Sequence, residues 1–252
     1  MSNRLALIGG EEFSDDFEAM HAGLIAALGQ NPRLAFLPTA AAHDGAETVE
    51  YWCTQAREKL SALGAQVETP RVVDAASANE ELFATQIAEA DWVYLGGGYA
   101  HVALPILEGT RVMEAILSAK EHGALISGAS AGAMMMGTHA IVIMPELLED
   151  VGKYWESGAP PEWDPPAPLL IEGLNWLPQT IIAPHFDRPW FSRKWLERDF
   201  LPDGYTLIGI DERTTVTRDP NGKWEMFGFG SITLYENGKE IARYTAGDTF
   251  EF

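Results

Sequence analysis

Cysteine is nearly absent. Cys53 is the single cysteine among 252 residues, which excludes an internal disulfide. It lies in a segment of helical spacing with no CxxC or Cys/His cluster, and reads as a small buried residue. Basic residues are scarce, 17 against 37 acidic ones, for a formal net charge of −20. That deficit argues against nucleic acid and anionic membrane surfaces as partners. No H-E-x-x-H, H-x-H or carboxylate cluster occurs, so no metal and no other cofactor is expected. Long apolar runs are lacking too. The start, MSNRLALIGGEEF, has too short an apolar run for a signal peptide before Glu11-Glu12. His122 to Pro145 carries no Asp, Glu, Lys or Arg, but its Gly, Ser and Ala content and a break near Gly137-Thr138-His139 suit a buried strand, turn and helix better than a membrane span. A cytoplasmic chain is expected.

What is present has the balance of a soluble globular protein, 46% hydrophobic and 21% charged residues. Short apolar runs at Arg4–Ile8, Arg33–Leu37, Gln66–Val73, Trp92–Leu95 and Ala124–Ile126 read as strands. Between them Asp15–Leu28, Glu47–Leu63, Asn79–Ala90 and Arg111–His122 have helical spacing. This alternation implies an α/β fold, a mainly parallel sheet sandwiched by helices in flavodoxin-type layering. Further strands are expected at Thr180–Ala183 and Leu207–Ile210, and a helix over Pro189–Phe200. From Thr214 the pattern changes to short alternating runs with turns at Pro220-Asn221-Gly222 and Glu236-Asn237-Gly238, an antiparallel tail of hairpins over 214–252. No repeat or linker marks a second domain, so 1–252 reads as one. Pro145–Pro168, with six prolines and two tryptophans, breaks the rhythm and reads equally as a flap over the site or as a surface loop.

Ligand-handling groups in such sheets gather at the carboxyl ends of the strands, where Gly9-Gly10, Thr39, Gly96–Gly98 and Ser130 all fall. Ala124–Gly137, ALISGASAGAMMMG, contains G-x-S-x-G with Ser130 at its centre. A serine at a sharp strand-to-helix turn has its hydroxyl pushed out over the sheet edge, and the N–H after it can face a developing oxyanion. A serine hydroxyl needs a base, and the base a third group to fix its tautomer. Of six histidines, His185 ends an apolar strand at the edge where Ser130 emerges. His21, His43, His101, His122 and His139 read as surface or core residues. Asp187 and Glu212 could each orient His185, the former at His-x-acid spacing and the latter after Leu207–Ile210; the residues alone do not separate them. Oxyanion donors are expected from Ala131 and from Gly97 or Gly98. Arg188, Arg193, Lys194 and Arg198 concentrate positive charge just after His185. Arg188 and Arg193 could hold a substrate carboxylate, and Tyr99 could line the pocket.

LIGGEE, YLGGG, SGASAGA, APHF and LIGIDERT occur in the order found in the S51 serine peptidases, and the chain resembles that family from about Leu5 to Thr215. The family comprises dipeptidase E and cyanophycinase, on a fold similar to class I glutamine amidotransferases. The resemblance implies Ser130 as nucleophile and His185 as base, favours Glu212 over Asp187 as the acid, and places oxyanion donors on Gly97 or Gly98 and on Ala131. It also implies a small peptide as substrate and a small assembly such as a homodimer. Cyanophycinases carry Gly-Gly-Asp-Gln where this chain has Gly97-Gly98-Tyr99-Ala100, and dipeptidase E carries Gly-Gly-Gly-Asn-Thr at that loop. Neither specificity pocket is retained, and the peptidase side is somewhat closer. The implied activity is hydrolysis of short peptides, dipeptidase E-like, with a cyanophycinase-like exopeptidase on β-Asp-Arg bonds and a catalytically silent binding member as alternatives. A glutamine amidotransferase would need a cysteine at the position of Ser130.

Overall fold

In the strand Arg4–Ile8 (β1), Leu5 and Leu7 face one apolar cluster while Ala6 and Ile8 face another, so the sheet it belongs to is buried on both sides. The computed structural model describes residues 4–142, 149, 152–155, 157–160, 162–189, 191, 193–198 and 200–251, with the backbone alone for 193, 197 and 198. The chain continues through β2 (Arg33–Leu37), β3 (Gln66–Glu68), β4 (Trp92–Leu95), β5 (Leu125–Ala129), β6 (Gly137–Val142) and β7 (Leu169–Glu172). Then come β8 (Leu177–Ala183), β9 (Thr206–Ile210), β10 (Thr214–Arg218), β11 (Trp224–Gly228), β12 (Ile232–Glu236), β13 (Lys239–Tyr244) and β14 (Thr249–Phe250). The helices are α1 (Glu18–Leu28), α2 (Ala46–Ala62), α3 (Glu81–Ala88), α4 (Ala100–Leu107), α5 (Arg111–Glu121) and α6 (Ala131–Met134).

The strands form two sheets. The first has the order β14-β11-β10-β1-β5-β4-β2-β3, parallel from β1 to β3. The second has the order β13-β12-β9-β8-β6-β7, parallel across β9, β8 and β6. One face of the first sheet packs on α1 and α2 through Ile25, Ala56 and Leu60, with Phe17 from the turn just before α1. The opposite face and the second sheet share a core with α3, α4 and α5 that includes Val112, Ile116, Ile141, Ile181 and Ile208. The α/β class with its mostly parallel order is as the sequence indicates, and the division into two sheets is what the structure adds. The hairpin tail is shared between them: β10, β11 and β14 extend the first sheet, β12 and β13 the second.

Three local expectations differ. β3 stops at Glu68 rather than Val73, because Pro70 brings no N–H to a ladder. The helix after Ser130 is a single turn, and the apolar residues beyond it form β6 instead of prolonging it. Within Pro189–Phe200 a 3-10 turn spans Arg193–Arg198, while 190, 192 and 199 lie outside the described residues. Of the Pro145–Pro168 stretch, 145–148, 150, 151, 156 and 161 lie outside them as well. No helix among the described residues is long and apolar enough to cross a membrane.

Candidate active site

Ser130 follows β5 directly and has φ 51 and ψ −117, a left-handed conformation that a non-glycine residue adopts only under tertiary constraint. The glycines around it supply the constraint. A Cβ on Gly128 would lie 2.3 Å from the Gly132 carbonyl carbon, and one on Gly132 would lie 2.1 Å from Leu95 O. Strand, turn and helix can therefore meet only with hydrogen at both positions. The Ser130 N–H donates to Ile8 O at 3.0 Å, which fixes the turn to the end of β1.

His185 reaches the same place from the second sheet. Its φ is 49, and its N–H donates to Gly9 O at 2.7 Å across the gap between the sheets. His185 Nε2 stands 3.0 Å from Ser130 Oγ, and Nδ1 stands 2.8 Å from Glu212 Oε1. Glu212 follows β9 and is buried. Burial alone would raise its carboxyl, but hydrogen bonds from His185 and Arg188, with their charges, hold it below the ordinary glutamate value. A hydroxyl, an imidazole and a carboxylate in line at these distances can activate an alcohol and shuttle its proton. Gly10 completes the fit, since a Cβ there would lie 2.1 Å from His185 Cε1.

Asp187 occupies a different place. Its Oδ1 accepts the Glu212 backbone N–H at 2.9 Å, so it holds the loop that carries Glu212. Arg188 donates from Nε to Glu212 Oε2 at 2.7 Å, and its guanidinium lies 6.0 Å from the Trp155 ring centre. The cation thus sits on the acid beside His185. The Arg193 side chain is outside the described residues, and Lys194 Nζ donates to Trp163 O at 2.8 Å. Gly97 and Gly98 follow β4; Gly98 has φ 132, and a Cβ on it would meet Ala40 O at 2.2 Å. Ala131 opens α6. Among the described residues none of these three donates its N–H to another backbone carbonyl in a turn, loop or cap. Tyr99 precedes α4, half-buried, its ring packed edge-on against His43 and His101. No group of three or more His, Cys, Asp or Glu among the described residues is arranged to hold a metal ion.

Two residues that the sequence did not single out border this arrangement. The Trp155 ring packs edge-on against His185, 5.3 Å between centres, so the proline-rich stretch reaches the site. Glu12 is buried beside Gly97. It belongs to the LIGGEE segment that runs out of β1, and its place on a glycine turn at a strand end was the available signal.

Among solved structures, a peptidase from an acI-B1 Actinobacterium matches with TM-score 0.82 and 24% identity, over 100% of this chain and 98% of that one. A Peptidase E protein from Listeria monocytogenes EGD-e matches with TM-score 0.60 and 17% identity, over 91% of this chain and 100% of that one. At these identities the likeness is one of fold. No curated protein matches the sequence. The sequence profile of peptidase family S51, however, matches residues 5–222, a stretch that holds Ser130, His185, Glu212 and the strand ends described above. The chain belongs to peptidase family S51 and is a serine-type peptidase.

Proposed function

We propose that the chain hydrolyses short peptides, dipeptidase E-like, through Ser130, His185 and Glu212. Ser130 Oγ bonds to the carbonyl carbon while its proton passes to His185 Nε2. The carbonyl π electrons move onto oxygen, and the amides of Ala131 and of Gly97 or Gly98 receive that oxyanion. Collapse of the intermediate breaks the C–N bond, and His185 returns the proton to the departing amine. Water, deprotonated by the same imidazole, then cleaves the Ser130 ester. Glu212 holds Nδ1–H and balances the imidazolium charge in both halves. Arg188 keeps Glu212 ionised.

The observation that carries this reading is the chain Ser130 Oγ, His185 Nε2, His185 Nδ1, Glu212 Oε1 at 3.0 and 2.8 Å, with Ser130 in a left-handed turn. The Trp155 ring, edge-on to His185, takes up space beside the imidazole, which favours a short substrate. The test is hydrolysis of a dipeptide library, including Asp-X and β-Asp-Arg, by the wild type and Ser130→Ala. Wild-type turnover that falls at least about a thousandfold in the variant is expected. Selective cleavage of β-Asp-Arg would move the reading to the cyanophycinase side. No cleavage of any dipeptide would overturn it.

A further inference from the structure

Glu12 takes no part in that chemistry, yet it lies against it. It is only 6% exposed. A point at the Cβ position of Gly97 is 3.8 Å from Glu12 Oε1 and 3.3 Å from Ser130 Cβ, so carboxylate and serine border one small space beside the glycine loop. The local backbone explains the placement. Glu11 has φ 56, and this turn leaves Glu11 exposed and sends Glu12 inward. Among the described residues no lysine or arginine pairs with Glu12. Burial pushes its carboxyl above the ordinary range, opposed only by its own backbone N–H and the charge of His185, while Glu11 adds to the rise. Tyr94, whose buried hydroxyl has no hydrogen-bond partner among the described residues, faces the same charge. An acid kept from water without a cation is costly, and sites of this kind concentrate where a ligand supplies what is missing.

We propose that Glu12 receives the α-ammonium group of the substrate and thereby directs cleavage to the bond after a free N-terminal residue. This rests on Ser130 being the nucleophile. The α-nitrogen of a peptide is two bonds, about 2.5 Å, from its first carbonyl carbon. When that carbon is presented to Ser130 Oγ, the charged nitrogen enters the space that Glu12 borders. The ammonium brings the absent cation to a carboxylate that is already out of water, and is itself paired as it is desolvated. An acylated terminus brings no charge to pair with Glu12.

The experiment compares phosphonylation of Ser130 by diphenyl 1-aminoethylphosphonate and by its N-acetyl form, at a pH where the free amine is protonated. Ser130 Oγ bonds to phosphorus, phenoxide leaves, and phenol departs with the serine proton; intact mass reports the rate. The wild type is expected to label at least tenfold faster with the free amine. Glu12→Gln should lose that preference, the ratio of its two rates falling to about one, and a circular dichroism spectrum like that of the wild type shows that the variant is folded. Glu12→Asp, which keeps the charge, should retain part of it. Equal rates in the wild type, or a preference that survives in Glu12→Gln, overturn the proposal. If only a small uncharged fluorophosphonate labels Ser130, the nucleophile stands and the assignment of Glu12 falls. If nothing labels Ser130, both fall.

Discussion

Glu212 and Asp187 are two acids at one histidine, and their separation comes from backbone geometry. His185, in a left-handed conformation at the end of β8, turns its ring toward the neighbouring strand end, where Ala183 pairs with Gly209 and Glu212 follows three residues on. Asp187 instead accepts the Glu212 N–H. On the proposed mechanism Glu212→Gln therefore lowers kcat about 10²- to 10⁴-fold with little change in KM, since it removes the charge opposite the imidazolium. Asp187→Asn keeps an oxygen for the backbone N–H and should cost less than about tenfold. Steady-state kinetics on one cleaved peptide checks both, and equal losses would count against the division of labour. The candidate residues were legible as residue types at strand ends. The partnership of Arg188 with Glu212 was not, because it joins loops 24 residues apart that no local pattern connects.

Among the elements, α1 carries a cost that shows in acid. His21 is buried among Phe13, Phe17, Trp92 and Tyr94, and its Nε2 has no hydrogen-bond partner among the described residues. Burial, with a smaller push from Lys59, lowers its pKa to about 3. The folded ring stays neutral where the unfolded one, near 6.5, takes a proton. Stability is therefore complete above about pH 6.5 and falls by about 1.4 kcal/mol for each unit below it, down toward pH 3. His21→Phe should remove that slope. Denaturant melts between pH 7 and 5 would show the difference, a window above the one in which Glu212 loses its own contribution on protonation. Parallel curves for the two proteins would refute the assignment. Most strands and helices were readable from apolar spacing, since β1, β2, β4 and β5 are short buried runs bounded by glycine or proline. β6 was not, because Met134-Met135-Met136 continues a helical run as plausibly as it ends one, and the choice is made by pairing with β8 some forty residues away.

At the scale of the whole molecule, the two sheets are interleaved by sequence. β1 lies between β5 and β10, and β12 lies beside β9, so the last strands finish both sheets after the early ones are in place. The crossings are pinned by Ser231, whose N–H and hydroxyl both donate to Asp211 Oδ2, and by the Arg213 N–H on Gly10 O. Pairings of such long separation form slowly. On refolding from denaturant, labelling of Ser130 by a fluorophosphonate should lag behind the recovery of helical circular dichroism and return with the slowest phase. Labelling that recovers together with the helices would contradict this order.

That order has a consequence for a chain under synthesis. Ser130 leaves the ribosome more than fifty residues before His185 and about eighty before Glu212, and the strand that seats the last of these at the edge of β1 comes later still. On the proposed mechanism a nascent chain with its serine exposed has neither base nor acid beside it, and is harmless to itself and to the unfinished chains around it. The order of the strands gives the protection that a removable pro-segment gives elsewhere.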